Sequence, residues 1–230
     1  AGAFLDYQIK VGKVGECDLD RLVLTLSQRI EHIQPKKMFW SPRISARLNL
    51  SEIVTLRASV GRGYRFFSLY SDQINLLSSN KSWNVINTPP FESSWNSGAN
   101  LVAKPNIFNK ELEINIDAYL TWFDQQVVID LEQNLPEMPV ASIFSLNGKS
   151  RTGMLGATIS YPVLEQVTIK IGSRFQSNKM QFSKEYKDQI FIPKWRGMTS
   201  IDWESNQKKW LWNFTIQLVG PMRFPDKTNY

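Results

Sequence analysis

The chain has 230 residues, with 27 Lys and Arg against 21 Asp and Glu, one Cys, one His and 42% apolar residues. A single Cys excludes a disulfide framework and a Cys-cluster metal site, and a single His, His32, argues against a multi-His metal site or a Ser-His-Asp triad. Apolar and aromatic residues are too plentiful for a disordered chain, and no run of 18 apolar residues offers a transmembrane helix or a signal peptide.

The periodicity is two almost everywhere, which indicates strands. Weak alternation over 1–11 and 21–30 gives the first two. Residues 43–50 set Arg43, Ser45, Arg47 and Asn49 against Ile44, Ala46, Leu48 and Leu50. Residues 54–60 place Val54, Leu56, Ala58 and Val60 opposite Thr55, Arg57 and Ser59. A weaker strand follows over 95–104. The clearest spans 111–123: Leu112, Ile114, Ile116, Ala118, Leu120 and Trp122 face one way, and Glu111, Glu113, Asn115, Asp117 and Thr121 the other, with Tyr119 and Phe123. After a weaker strand over 153–162, residues 167–175 oppose Val167, Ile169, Ile171 and Phe175 to Thr168, Lys170, Gly172 and Arg174. A weaker strand over 195–204 precedes 209–218, where Trp210, Trp212, Phe214, Ile216 and Leu218 face away from Lys209, Asn213, Thr215 and Gln217. About ten strands are expected. The 111–123 segment exceeds the roughly five to six residues of a soluble strand and suits a tilted strand crossing a bilayer, which needs about 9–11.

Short turns are expected near 12–20, 49–52, 105–110, 162–166 and 204–208, and longer connections over 31–40, 62–93, 124–150 and 177–193. Short turns at one end and long loops at the other are the layout of an outer-membrane barrel. Aromatic residues such as Trp40, Tyr64, Trp95, Trp122, Trp195, Trp203 and Trp212 gather near strand ends, as two interfacial girdles would require. The faces decide between membrane and water. Arg43, Arg47, Arg57, Glu111, Glu113, Asp117, Lys170, Arg174, Arg196 and Asp202 all fall on the polar face. A midplane Arg or Lys in lipid costs roughly 2–4 kcal/mol, so these residues are expected to line an enclosed interior. The competing reading is a large soluble antiparallel sheet with one solvated face.

Several segments resemble the barrel of TonB-dependent outer-membrane receptors, particularly the Bacteroidetes type. Trp40-Ser41-Pro42-Arg43 looks like the family's S-P-R opening of a strand. Leu56 through Leu69, containing Gly61-Arg62-Gly63-Tyr64-Arg65-Phe66, is similar to L-R-A-S-x-G-x-G-[FY]-R-x-P-S-L, with Phe67 standing where Pro is common. Glu92-Ser93-Ser94-Trp95-Asn96 looks like E-x-[SA]-W-N. Tyr119 through Asp130 resembles Y-x-x-x-F-x-x-Q-[IV]-V-x-D. Asn147-Gly148-Lys149-Ser150 with Gly153 is like N-G-x-S-x-x-G, although Leu155 stands where Glu is often found. Pro193-Lys194-Trp195-Arg196 and the 220–226 loop match as well. The pieces are in order and cover essentially the whole chain.

The resemblance implies an all-β, antiparallel transmembrane β-barrel, of which residues 1–230 would be a single partial domain. It would supply about ten strands of a barrel of about 22, near strands ten to nineteen. The implied function is import of a scarce ligand (a ferric chelate, haem, cobalamin or a similar nutrient) through the Gram-negative outer membrane, with energy from TonB. The implied partners are a plug domain, the remaining strands, the TonB complex acting through the plug, lipid and lipopolysaccharide, and in some relatives a surface lipoprotein. Ala1-Gly2-Ala3-Phe4 lacks a start Met, and 227–230 ends in what should be an external loop, so a fragment of a longer receptor is expected. The alternatives are a passive porin or structural barrel and, less favoured, an outer-membrane hydrolase.

For ligand contact the choice is Arg65 at the outer mouth, with Arg62, Tyr64 and Phe66. Phe67 and Tyr70 are further stacking candidates, and Lys81, Lys179, Lys184 and Lys187 are further external cations. Each has a bland counterpart as a loop or girdle residue. Net charge +6 does not point to nucleic acid, since the cations are dispersed and no basic helix or stacking motif is present. Gly61-x-Gly63 opens no helix and lacks the third Gly of a dinucleotide loop. Asp124 with Asp130, or Glu132 with Glu137, read as solvated loop acids rather than an acid/base pair, and Cys17 as incidental. No catalytic residue, metal site or cofactor is expected.

Overall fold

The computed structural model describes residues 1–14, 19–33, 37–68, 82–89, 91–131, 134–135, 138–146, 149–182 and 185–224. Tyr70, Lys81, Lys184, Cys17, Glu132 and Glu137 lie outside them. Ten long strands follow one another: β1 (Gly2–Val14), β2 (Leu19–Ile33), β3 (Lys37–Asn49), β4 (Val54–Phe66), β5 (Phe91–Ala103), β6 (Glu113–Gln125), β7 (Ser150–Leu164), β8 (Val167–Phe182), β9 (Trp195–Glu204) and β10 (Leu211–Val219). Each pairs antiparallel with the next in one sheet, and Glu185–Asp188 adds to the outer end of β8. The sheet is an open wall with β1 and β10 as edges. Among the described residues no helix is long and apolar enough to cross a membrane.

All ten expected strands form, and most run further than the alternation reaches. The expected long connection over 31–40 is largely strand: His32 pairs with Met38 and Ile33 with Lys37. Likewise β8 continues past Phe175 to Phe182. Beyond the bilayer both faces meet water, so the side-chain period lapses while the ladder hydrogen bonds continue to satisfy the backbone.

Register keeps the two faces distinct. Ile44 pairs with Val60, Leu56 with Leu101, and Ile116 with Ala157. The other face pairs Ser45 with Ser59, Arg57 with Asn100, and Lys170 with Ser200. Much of the apolar face is open: Leu120, Leu155, Ile171, Phe214 and Leu218 are each more than half exposed. A continuous exposed apolar surface of this extent is not sustained in water. Aromatic pairs bound it: Trp95 beside Trp122 and Phe175 beside Trp195 at the loop end, Trp203 beside Trp212 at the turn end. Trp195 and Trp203 are about 26 Å apart along β9 at roughly 3.3 Å per residue. At a tilt of about 40° that is about 20 Å of height, close to the apolar band of a membrane barrel.

At the loop end the wall becomes two layers. Pairing of β3 with β4 stops at Arg43 and Gly61, while β4 and β5 continue together to Phe66 and Phe91. Phe39 belongs by register to the polar face, and Tyr64 and Phe91 to the apolar face. Yet Phe39 lies 4.6 Å from Tyr64 and 5.6 Å from Phe91 between ring centroids. The upper β4–β5 ribbon therefore leans across the polar side of β2 and β3. A small second sheet adjoins it, in which Met138–Ser145 pairs antiparallel with Val127–Asp130 and Asn134–Leu135 and parallel with Ser82–Ile86. Ile143 and Ala141 are fully buried there.

Candidate functional site

The polar face and the loop-end layer carry the described candidates Arg65, Arg62, Tyr64, Phe66, Arg43, Arg47, Arg57, Asp117, Lys170 and Arg174. Arg65 is on the polar face of β4, opposite Glu92. Its Nε donates to Glu92 Oε2 at 2.7 Å, and Glu92 Oε1 accepts from the Val127 amide at 2.8 Å. Glu92 is 5% exposed, whereas the Arg65 side chain is 62% exposed. One arginine thus neutralises a buried carboxylate that ties the second sheet to the barrel wall, and still presents its outer edge to solvent. Beside it is a cavity of about 180 Å³ lined by Gly63, Tyr64, Asn96 and Phe123.

Arg62, Tyr64 and Phe66 alternate with Arg65 and lie on the other face of β4. Arg62 pairs with Asp124 at 2.9 Å and sits 4.8 Å over the Phe39 ring. Tyr64 donates to Glu31 at 2.6 Å and packs edge-on against Phe66. Glu31 also accepts from Arg29. These groups lie beyond the upper aromatic level. The Tyr64 hydroxyl, more than Arg29, lowers the Glu31 carboxyl below its ordinary 4.5. The same bond raises the Tyr64 phenol above its ordinary 10.0. The four residues do not converge on one point; Arg65 serves one side of the ribbon, and Arg62, Tyr64 and Phe66 the other.

The charged strand residues fall into three settings. At the turn end, Glu111 and Glu113 meet Lys104 at 3.0 and 3.6 Å. On the polar face of β8, Lys170 pairs with Asp202 at 3.0 Å. Across the middle runs a single row of directly opposed residues, one per strand: Lys10, Val23, Arg47, Arg57, Asn100, Asp117, Gly156, Arg174, Arg196 and Val219. Asn100 donates to Asp117 at 2.9 Å and accepts from Arg57 at 3.5 Å. Arg43 stands two places further along β3 from Ser45 on the same face. A concavity of about 650 Å³ opens over Arg43, Arg47, Arg57 and Asp117.

Glu92, Glu31 and Asp124 are the functional partners that sequence reasoning missed or read otherwise. Glu92 figured only as the first letter of a strand-opening motif, and its partner Arg65 is 27 residues away. Among the described residues no group of three or more His, Cys, Asp or Glu is placed to hold a metal ion.

A family model described as TonB dependent receptor-like, beta-barrel matches residues 1–230. No curated protein sequence matches the chain. Among solved structures, the siderophore receptor PirA from Pseudomonas aeruginosa is similar at TM-score 0.65 and 14% identity, over 95% of this chain and 39% of that one. The FrpB iron transporter from Neisseria meningitidis is similar at TM-score 0.59 and 13% identity, over 94% of this chain and 32% of that one. The ferric preacinetobactin receptor BauA from Acinetobacter baumannii is similar at TM-score 0.56 and 12% identity, over 86% of this chain and 30% of that one. At these identities the likeness is one of fold, and the chain spans only about a third of each of these structures.

Proposed function

The chain belongs to the TonB-dependent receptor-like β-barrel family, and from this we propose that it is part of the barrel wall of a Gram-negative outer-membrane receptor that imports a scarce nutrient with energy relayed by TonB. The observation that carries this reading is the pairing of a broad, exposed apolar face with an ionic face on the same ten strands. Such a wall is stable only with hydrocarbon on one side and a wet or filled enclosure on the other. The family's members are transporters rather than enzymes. The similar structures, an iron transporter, a siderophore receptor and a ferric preacinetobactin receptor, favour a ferric chelate as the ligand class.

In this reading Arg65 is the ligand-facing cation of the outer mouth, since its side chain is 62% exposed and a guanidinium matches an anionic chelate. Tyr64, Phe66 and Arg62 shape the ribbon that presents it. Arg43, Arg47, Arg57, Glu111, Glu113, Asp117, Lys170 and Arg174 line the lumen.

The test is uptake of a radiolabelled ferric chelate by cells carrying the whole receptor. Uptake that collapses when the proton-motive force is removed supports an energised receptor. Uptake that persists, together with free passage of small sugars in liposome swelling, would establish a passive porin instead.

A further inference from the structure

The turn between β5 and β6 departs from the usual chemistry of a tight turn. Asn106–Ile107 and Lys110–Glu111 pair antiparallel, and the Pro105 carbonyl closes the base by accepting from the Leu112 amide at 2.9 Å. Phe108 and Asn109 are left as the two central residues, at φ 50° and 60°. A hairpin turn with both central residues left-handed favours Asn and Gly, and a bulky residue there is an outlier. Phe108 nevertheless takes the first position. At 89% exposed it is the most open large apolar side chain among the described residues. Backbone strain of this kind, spent to display an aromatic ring, points to a use for the ring.

Register and two hydrogen bonds supply its surroundings. Tyr161 shares the apolar face of β7 with Leu155 and Ile159, and its hydroxyl donates to the Ile107 carbonyl at 3.0 Å. Lys110 Nζ donates to the Val163 carbonyl at 2.6 Å. The tip is therefore pinned to the end of β7, on the side that Tyr161 faces. Val163 and Leu164 there are about half exposed. Leu164 pairs with Val167, Val167 with Trp203, and Trp203 with Trp212, so the tip meets the wall at the turn-end aromatic level. The apolar face of the strands thus extends past Leu164 onto Ile107 and Phe108.

We propose that this hairpin is a membrane foot that sets Phe108 into the headgroup boundary of the periplasmic leaflet, with phospholipid as its partner. Short turns of such barrels lie on the periplasmic side, and aromatic rings are favoured at that boundary. Lys110 brings a cation to the same level, and its ammonium has donors for a lipid phosphate beyond the one that Val163 takes. Continuity with the apolar face favours lipid over a soluble periplasmic protein. The inference requires the barrel to sit in a bilayer and is independent of what it transports.

The experiment uses the whole receptor, with Cys17→Ser, in vesicles of phosphatidylethanolamine and phosphatidylglycerol. A nitroxide is attached at Phe108→Cys or, as a control, at Gln207→Cys in the exposed polar turn between β9 and β10. The ratio of collisions with oxygen to collisions with a water-soluble nickel chelate is at least threefold higher at 108 than at 207. With the ring intact, a photoactivatable phosphatidylglycerol labels the peptide holding residues 105–111, and Phe108→Ser cuts that labelling at least fivefold. A ratio at 108 equal to that at 207 places the tip in water. Shielding of 108 from both reagents places it against protein. Labelling that ignores Phe108→Ser shows that the ring does not hold the lipid. Any of these three results overturns the inference. A failure of energised uptake would sink the transport reading and leave this result standing.

Discussion

Arg65 and Glu92 face each other across β4 and β5, with the arginine Nε 2.7 Å from a carboxylate oxygen that is otherwise sealed from water. The pair makes Arg65 both a surface cation and a structural counter-ion, so Arg65→Ala alone is a poor probe of ligand binding. It leaves Glu92 buried with only the Val127 amide as a partner, at a cost of about 1–2 kcal/mol to the loop-end layer once solvent screening of the exposed arginine is allowed for. The informative variant combines Arg65→Gln with Glu92→Gln, which keeps a hydrogen bond and removes both charges. Chelate affinity of the double variant, measured by quenching of an intrinsic Trp, falls at least tenfold while its thermal midpoint stays within a few degrees of wild type. Retained affinity would remove Arg65 from the ligand site.

The bond from Tyr64 to Glu31 clamps the leaning ribbon to β2, and it has a two-sided pH dependence. The folded Glu31 carboxyl is lowered, so its contribution is present above the ordinary 4.5 and is lost as pH falls through the folded value. The folded Tyr64 phenol is raised, so its contribution is complete below the ordinary 10.0 and is lost as pH rises through the folded value. The protection factor of the amides of residues 62–66, which corrects exchange for its intrinsic pH dependence, is therefore highest between these limits and falls on either side. Tyr64→Phe abolishes the alkaline arm. An alkaline arm that survives in Tyr64→Phe would show that another group fastens the ribbon.

The ring of Tyr119 lies across Gly98, its strand partner. A Cβ built at Gly98 would be 2.5 Å from two carbons of that ring. Gly98→Val forces the tyrosine off its seat and costs about 1–3 kcal/mol. The loss is read as a lower urea midpoint for the folded receptor in detergent. Gly63→Ala, with nothing within 4 Å of the added carbon, serves as the near-neutral control.

Much of this was legible in the chain because a bilayer enforces a strict two-residue period. The run from Glu113 to Trp122 announces its strand and both its faces without any tertiary information. The strand extensions at 31–40 and beyond 175 were not legible, since above the membrane the alternation carries no penalty when broken. The parallel pairing of Ser82–Ile86 with Val140 to Phe144 joins segments far apart in sequence, which no local pattern encodes. The cations Arg47, Arg57, Arg174 and Arg196 were each visible as polar-face residues. That they fall in one row is a property of register across seven strands, fixed by the turn lengths between them.

The central claim is that the even-numbered residues of β6 touch hydrocarbon and the odd-numbered ones do not. The most direct measurement is nitroxide scanning of residues 113–121 in the whole receptor in bilayers, with Cys17 replaced by Ser. Collision with oxygen dissolved in lipid should peak at positions 114, 116, 118 and 120 and drop at 113, 115, 117 and 119. A reversed alternation, or none, would contradict it.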